Sequence, residues 1–341
     1  MSEDPMDVRH WTLRSAAALA ALLTALCTGC SAGESPSGGG DGAGRHGAER
    51  AAPFAPYLSA TTAAGTDTAG SPAAYHVSFV VASGRHECAP EWDDGTPLGD
   101  ADTRRRIASL RETGADVRVS FGGATGTELA LACDSPGELA AAYERVLKAA
   151  GAASADLDIE GETLENAPAN ARRAKAIGLL QRRHPDLEVS FTLPVMPAGL
   201  TSGGEKLLRG AADAGVEVSA VNVMAMSYSP SHTGDMGDYA IAAARAAHGG
   251  MKDLLGLSGA RAWRALRVTV MIGVNDIERE TFTLQDAAQL AAFAAEHRLD
   301  GLSMWSSARD RECPGGPRTK PAETCSGVTQ DDGAFADALS G

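Results

Sequence analysis

The chain has 341 residues, with 30 Lys and Arg against 44 Asp and Glu and a formal net charge of −14. That length holds one large domain or two small ones. The acidic balance argues against a nucleic-acid binder or a protein held on anionic lipid by charge, and it suits an uncharged ligand.

From the N-terminus, Arg9, His10 and Arg14 precede an apolar run from Ala16 to Leu26. The run is too short for a stable membrane span and reads as a signal peptide over residues 1–29. It ends in Leu26-Cys27-Thr28-Gly29-Cys30. Small residues before a cysteine resemble a bacterial lipobox with Cys30 as the lipidated residue; plain secretion is the alternative. Residues 30–53 are rich in Gly, Ser and Ala, cannot build a core, and read as a flexible tether. The folded part is expected over 54–341, outside the cytoplasm, as a monomer touching a membrane only through its lipid.

Eight strand candidates follow: Ala55–Ala60, Tyr75–Ala82, Val117–Gly122, Ala155–Glu160, Glu188–Pro194, Ala220–Tyr228, Arg267–Val274 and Gly301–Ser306. Alanine-rich helical patterns lie between them, near Thr103–Thr113, Pro136–Ala150, Ala167–His184, Gly204–Ala214, Asp238–Leu255 and Leu284–His297, with a last helix at Asp331–Leu339. The connection Thr61–Ala74 is poorly helical. Strands alternating with helices imply a parallel sheet with right-handed crossovers. Eight such units favour an α/β fold, a single-domain (β/α)8 TIM barrel, over a doubly wound sheet, since no Gly-x-Gly-x-x-Gly follows a strand. In such barrels the active site sits at the C-terminal ends of the strands.

The strongest chemical signal is Ser154-Ala-Asp156-Leu-Asp158-Ile-Glu160-Gly161. Residues two apart on a strand share a face, so Asp156, Asp158 and Glu160 form one column while Leu157 and Ile159 point the other way. Crowded like charges disfavour simultaneous ionisation. A carboxyl kept protonated near neutral pH is what general acid catalysis needs. On its own the column also fits a structural or cation-binding acid cluster.

With Cys27 removed and Cys30 acylated, Cys88, Cys133, Cys313 and Cys325 remain. An even number in an exported chain suggests disulfides. Three pairings are open, of which Cys88–Cys133 and Cys313–Cys325 are favoured. These four form no Cys-x-x-Cys and no histidine pair stands at metal-ligand spacing, so neither a metal nor another cofactor is expected.

Four motifs together resemble glycoside hydrolase family 18, the chitinase family, across about 250 residues. Its Asp-x-x-Asp-x-Asp-x-Glu on strand four corresponds to Ala153 through Glu160, with Ala153 in place of the first acid. Its Ser-x-Gly-Gly corresponds to Ser120-Phe121-Gly122-Gly123, its Met-x-Tyr to Met226-Ser227-Tyr228, and its strand-eight tryptophan to Trp305. Met271 through Asp276 brings the likeness nearest to a compact secreted actinobacterial branch. The resemblance implies retaining, substrate-assisted hydrolysis of β-1,4-linked N-acetylglucosamine oligomers or chitin, an exception to the two-carboxylate scheme.

By that resemblance Glu160 is the general acid, Asp158 holds the acetamido N–H, Asp156 tunes Asp158 from behind, and Tyr228 bonds the acetamido group from the other side. Trp305 forms the apolar floor under the sugar. Met226, Ser120, Gly122, Gly123 and Asn275 are the further binding candidates, although the Ser120–Gly123 turn fits a packing role as well. Trp92 fits a sugar-stacking loop and an ordinary loop aromatic equally. Asn275, Asp276, Arg309 and Asp310 fit either the cleft or a rim salt-bridge network. Other readings kept open are an endo-β-N-acetylglucosaminidase on glycan cores and a weakly active or non-hydrolytic sugar-binding barrel.

Overall fold

The computed structural model describes residues 51–341. The expected signal peptide, the expected lipidation site Cys30 and nearly all of the expected linker lie outside the described residues. Eight parallel strands form the barrel wall in chain order: β1 Tyr57–Ser59, β2 Ala74–Gly84, β3 Asp116–Gly122, β4 Ser154–Asp158, β5 Glu188–Met196, β6 Ala220–Met224, β7 Leu266–Met271 and β8 Gly301–Trp305. The ring closes just before β1, where Phe54 bridges Leu302 in parallel and the Leu302 amide donates to the Pro53 carbonyl at 2.8 Å. The packed chain therefore reaches slightly into the expected tether, and Ala52 is already buried.

Local chemistry sets the helices. In Pro136–Ala150, Ser135 accepts from the Glu138 amide, proline fills the first turn, and Gly151 ends the helix in the left-handed region at φ 63°. Leu284–His297 begins with a capping box between Thr283 and Asp286. Alanine faces the barrel because it lets helix backbone approach the sheet closely: Ala240, Ala243, Ala244 and Ala247 are all fully buried.

Several boundaries differ from the sequence expectation. β2 runs on into a hairpin with Glu87–Trp92. β4 ends at Asp158, and β6 at Met224. The seventh strand breaks after Met271, and Gly273–Val274 turns off to pair antiparallel with Thr281–Phe282. The last helix is Ala334–Ser340. Both favoured disulfides form, with Cα–Cα distances of 4.5 Å for Cys88–Cys133 and 5.0 Å for Cys313–Cys325.

Register decides what fills the barrel. Ser120, Asp156 and Ser190 stand side by side on β3, β4 and β5, and Thr192 stands beside both Asp158 and Asn222. The interior under the C-terminal face is therefore polar. Leu157 and Ile159 point outward into the apolar layer beneath the helices, at 1% and 0% exposure.

Candidate active site

The alternation in β4 gives the three acids one face but three environments. Asp156 is fully buried at the centre. Its Oδ2 accepts from the Tyr57 hydroxyl at 2.9 Å and from Ser120 Oγ at 2.8 Å. Its Oδ1 accepts from Ser190 Oγ and Thr192 Oγ1, both at 2.8 Å. His76 Nδ1 lies 3.4 Å from Oδ2, and its ring stacks on Tyr57 at 4.5 Å. Burial pushes the Asp156 carboxyl up, but His76 and the hydroxyls of Ser120 and Ser190 outweigh it and hold the group well below the usual carboxylate range. Donors that satisfy the charged form favour that form. Burial in turn lowers the His76 imidazole, against the pull of Asp156.

Asp158, one repeat along, has no such ring of donors. It is 4% exposed and its Oδ1 has no hydrogen-bond partner. Burial, then Glu160, then Asp156 push its carboxyl well above the ordinary value. Glu160 lies just past the strand, at the head of the short helix Gly161–Leu164, with extended backbone at φ −138° and ψ 178°. The Ile159 amide donates to the Thr192 carbonyl at 3.0 Å, which carries the β geometry one residue further. Glu160 thus stays on the acid face, and burial raises its carboxyl as well. The column sets one carboxylate whose charged form is favoured below two whose protonated forms are favoured, the separation of environments that acid–base chemistry uses.

These acids open into a cavity of about 260 Å³. Asp158, Glu160 and Thr192 face an aromatic wall of Tyr57, Phe79 and Trp305, with Met224, Met226, Met271, Ser227 and Asp276 around them. Phe79 and Trp305 stack at 5.6 Å between ring centroids. A second opening of about 530 Å³ continues past Glu160 and is bordered by Arg85, His86, Gly123, Glu162 and Asn166, among others. Aromatic faces opposite carboxyls whose protonated forms are favoured suit a ring with apolar C–H faces whose exocyclic oxygen accepts a proton.

Of the residues singled out from sequence, Asp158, Glu160, Met226, Asp276 and Trp305 meet in the cavity, and Asp156 lies directly below. The others sit elsewhere. Ser120 is fully buried and spends its hydroxyl on Asp156. Gly122, at φ 97°, lies against the Asp158 carbonyl so closely that a Cβ has no room there. Gly123, at φ 85°, lies against the Phe79 ring, and its amide donates to the Asp158 carbonyl at 3.0 Å. Both glycines shape the site rather than line the cavity, because β3 and β4 meet there backbone to backbone.

Asn275 is buried and does not reach the cavity; its amide donates to the carbonyls of Met271 and Gly273 where the seventh strand breaks. Trp92 is 2% exposed in the hairpin strand, so it offers no stacking surface. Tyr228 does not line the cavity. Its ring packs on His232 and Tyr239, at 5.6 and 6.0 Å, because β6 ends early and the chain turns at Ser227. Arg309 bonds the carbonyls of Ile272 and Val274, and Asp310 accepts from the amides of Phe335 and Ala336. Tyr57, Phe79, Thr192 and Thr269 were not anticipated as site residues. Each is an inward strand position, and only closure of the ring brings it to the acids.

No family model matches the chain. It is 32% identical over 286 residues, 79% of its own length, to a probable bifunctional chitinase/lysozyme of Escherichia coli (strain K12), and covers 32% of that protein. It is 34% identical over 218 residues to endochitinase 11 of Metarhizium anisopliae, covering 60% of this chain and 42% of that one. The chain thus spans about a third to two-fifths of the curated relatives it matches. Among solved structures, the catalytic domain of a hyperthermophilic chitinase from Pyrococcus furiosus superposes with a TM-score of 0.76 at 29% identity, over 84% of this chain and 93% of that one. Catalytic-site mutants of active domain 2 of the thermostable chitinase from that organism, complexed with chito-oligosaccharides, superpose with a TM-score of 0.75 over 86% of this chain and 96% of that one.

Proposed function

We infer that this chain, a chitinase-like barrel of glycoside hydrolase family 18, hydrolyses β-1,4 bonds between N-acetylglucosamine units of chitin or its oligomers. The observation that carries the reading is the split acid column facing Trp305: Asp156 is ringed by hydroxyl donors that favour its charged form, while Asp158 and Glu160 lack such donors and burial pushes both carboxyls up. The likeness to chitinases over more than three-quarters of the chain supports the same reading.

In the proposed reaction the sugar ring lies on Trp305 and its acetamido N–H is accepted by Asp158. The acetamido carbonyl oxygen attacks the anomeric carbon while Glu160 gives its proton to the departing glycosidic oxygen. An oxazolinium ion results. Glu160, now a carboxylate, takes a proton from the water that opens this ion, and the configuration is retained. Asp156 stays charged throughout and, through its electrostatic coupling to Asp158, favours the protonated form of that neighbour. Tyr57, bonded to Asp156, is on the cavity wall, whereas Tyr228 is not.

Turnover of aryl-chitobiose and aryl-chitotriose by the wild type, abolished in Glu160→Gln, tests the assignment. Oligosaccharide binding without turnover by the wild type would refute it in favour of a binding protein, and release of the α-anomer first would refute retention. Cleavage confined to N-glycan cores would move the reading to an endo-β-N-acetylglucosaminidase.

Membership of the compact secreted actinobacterial branch is supported by the Met271–Asp276 sequence. Extracytoplasmic location is supported by the two disulfides, which persist in oxidising compartments. Attachment through Cys30 is tested by labelled fatty-acid incorporation that Cys30→Ala abolishes, and the monomeric state by light scattering.

A further inference from the structure

Four hydroxyl side chains border the cavity: Tyr57, Thr192, Thr269 and Ser227. Three are committed within the protein. Tyr57 donates to Asp156, Thr192 donates to Asp156, and Thr269 donates to Asn222 at 2.9 Å. Ser227 Oγ is shielded from solvent and has no partner. A buried hydroxyl left unpaired is costly, and a ligand that pairs it recovers that cost.

Ser227 holds an unusual backbone. Its φ is 49°, in the left-handed region that a non-glycine residue adopts only where its surroundings enforce it. The enforcement comes from the next loop of the barrel. Asn275 Oδ1 accepts from the Ser227 amide at 3.4 Å. Glu280 Oε2 accepts from the Tyr228 amide at 3.1 Å, and Oε1 from the Ser229 amide at 3.0 Å. Glu280 is itself fully buried, and no Lys, Arg or His among the described residues forms a salt bridge with it. Its carbonyl accepts from the Asn275 amide at 3.0 Å, which ties the two clamping residues together. A buried carboxylate aimed at consecutive amides fixes geometry, and it is a poor source of stability.

We propose that Glu280 is a positioning residue that locks Ser227 in the left-handed conformation, so that Ser227 Oγ hydrogen-bonds a polar group of the bound sugar. The clamp places this donor on the side of the cavity that Tyr228 leaves vacant. Ser227 therefore sets affinity for the sugar, and Glu280 acts only through it. This inference rests on the glycosidase reading above.

The test measures chito-oligosaccharide binding by calorimetry in the Glu160→Gln parent, where turnover does not interfere. Ser227→Ala is expected to weaken binding roughly 3- to 10-fold, the worth of one neutral hydrogen bond. Glu280→Gln, which keeps shape but has one acceptor oxygen, is expected to weaken it in the same direction. Combined with Ser227→Ala it should add less than twofold, because both act on one contact. Losses that multiply, or Ser227→Ala binding as tightly as the parent, overturn the proposal. Should Glu280→Gln fail to fold, Ser227→Ala alone decides by the same criterion. Absence of any binding by the parent overturns the glycosidase reading, and this inference with it.

Discussion

Replacing Thr192 with valine removes one hydroxyl from beneath the cleft and leaves the shape of the side chain almost unchanged. Thr192 is fully buried, so water cannot replace the lost oxygen. The hydroxyl donates to Asp156 Oδ1 at 2.8 Å and accepts from Asn222 Nδ2 at 3.0 Å. No partner is fully orphaned: Oδ1 keeps Ser190, and Asn222 Nδ2 keeps the Tyr57 oxygen at 3.2 Å. The loss is one bond to a charged group, about 1.5–3 kcal/mol, and one neutral bond, about 0.5–1.5 kcal/mol. The added methyl returns about 0.8 kcal/mol, which leaves a net destabilisation of about 1–4 kcal/mol. Thr192→Ser keeps the hydroxyl and loses only a methyl, about 1 kcal/mol.

The pH dependence of that loss has a definite sign. The Asp156 carboxyl is depressed in the folded state, so its stabilisation is complete above the ordinary carboxylate value of about 3.9 and fades as pH falls through the folded value. The gap between wild type and Thr192→Val should be full at pH 7 and still present near pH 3.5, and should narrow only as pH falls through the folded Asp156 value, which lies well below the usual carboxylate range. Denaturant titrations with the disulfides intact, at pH 7 and near pH 3.5, measure it. A valine variant no less stable than the serine variant at pH 7, or a gap that widens in acid, would refute this account of Asp156.

Other outcomes follow from the same structure. Removing Cys88–Cys133, which closes a 45-residue separation, should lower stability by about 4 kcal/mol, and removing Cys313–Cys325, with a separation of 12, by about 3 kcal/mol on the chain-entropy scale; denaturation of the serine variants measures both. Glu128→Ala leaves the buried Arg173 guanidinium without its carboxylate, 2.8 Å away, and should cost about 3–5 kcal/mol, whereas Glu128→Ala with Arg173→Met should recover much of it. Gly122→Ala forces a Cβ onto the Asp158 carbonyl at positive φ, so a folded variant should lose most of its turnover while the more exposed Gly161→Ala loses less. Because the Asp158 and Glu160 carboxyls are raised, activity should persist through mildly acidic pH and fall as pH rises past their folded values; a pH–rate profile rising into the alkaline range would contradict the acid role of Glu160.

Much of the site could be read along the chain because its chemistry is written in local alternation. Period-two spacing alone puts Asp156, Asp158 and Glu160 on one face, and apolar runs between alanine-rich helices give the eight-unit barrel. Strand periodicity says which face a residue shares, but not which neighbouring strand stands opposite or where a strand stops. Hence Tyr228, placed in the cleft by extending β6, turns away once the strand ends at Met224 and Ser227 takes a positive φ. Trp92 similarly pairs into a hairpin that no alternation announces.

The column of acids was therefore determined by sequence, and the opposite directions in which their carboxyls shift were set by the tertiary fold. The charged form of Asp156 is favoured because hydroxyls from β1, β3 and β5 converge on it, and that of Asp158 is disfavoured because it is buried without such donors. Those donors lie between 34 and 99 residues away in the chain. Pairing of β3 and β5 with β4 in this register brings Ser120, Ser190 and Thr192 within hydrogen-bond distance, and closure of the barrel brings Tyr57.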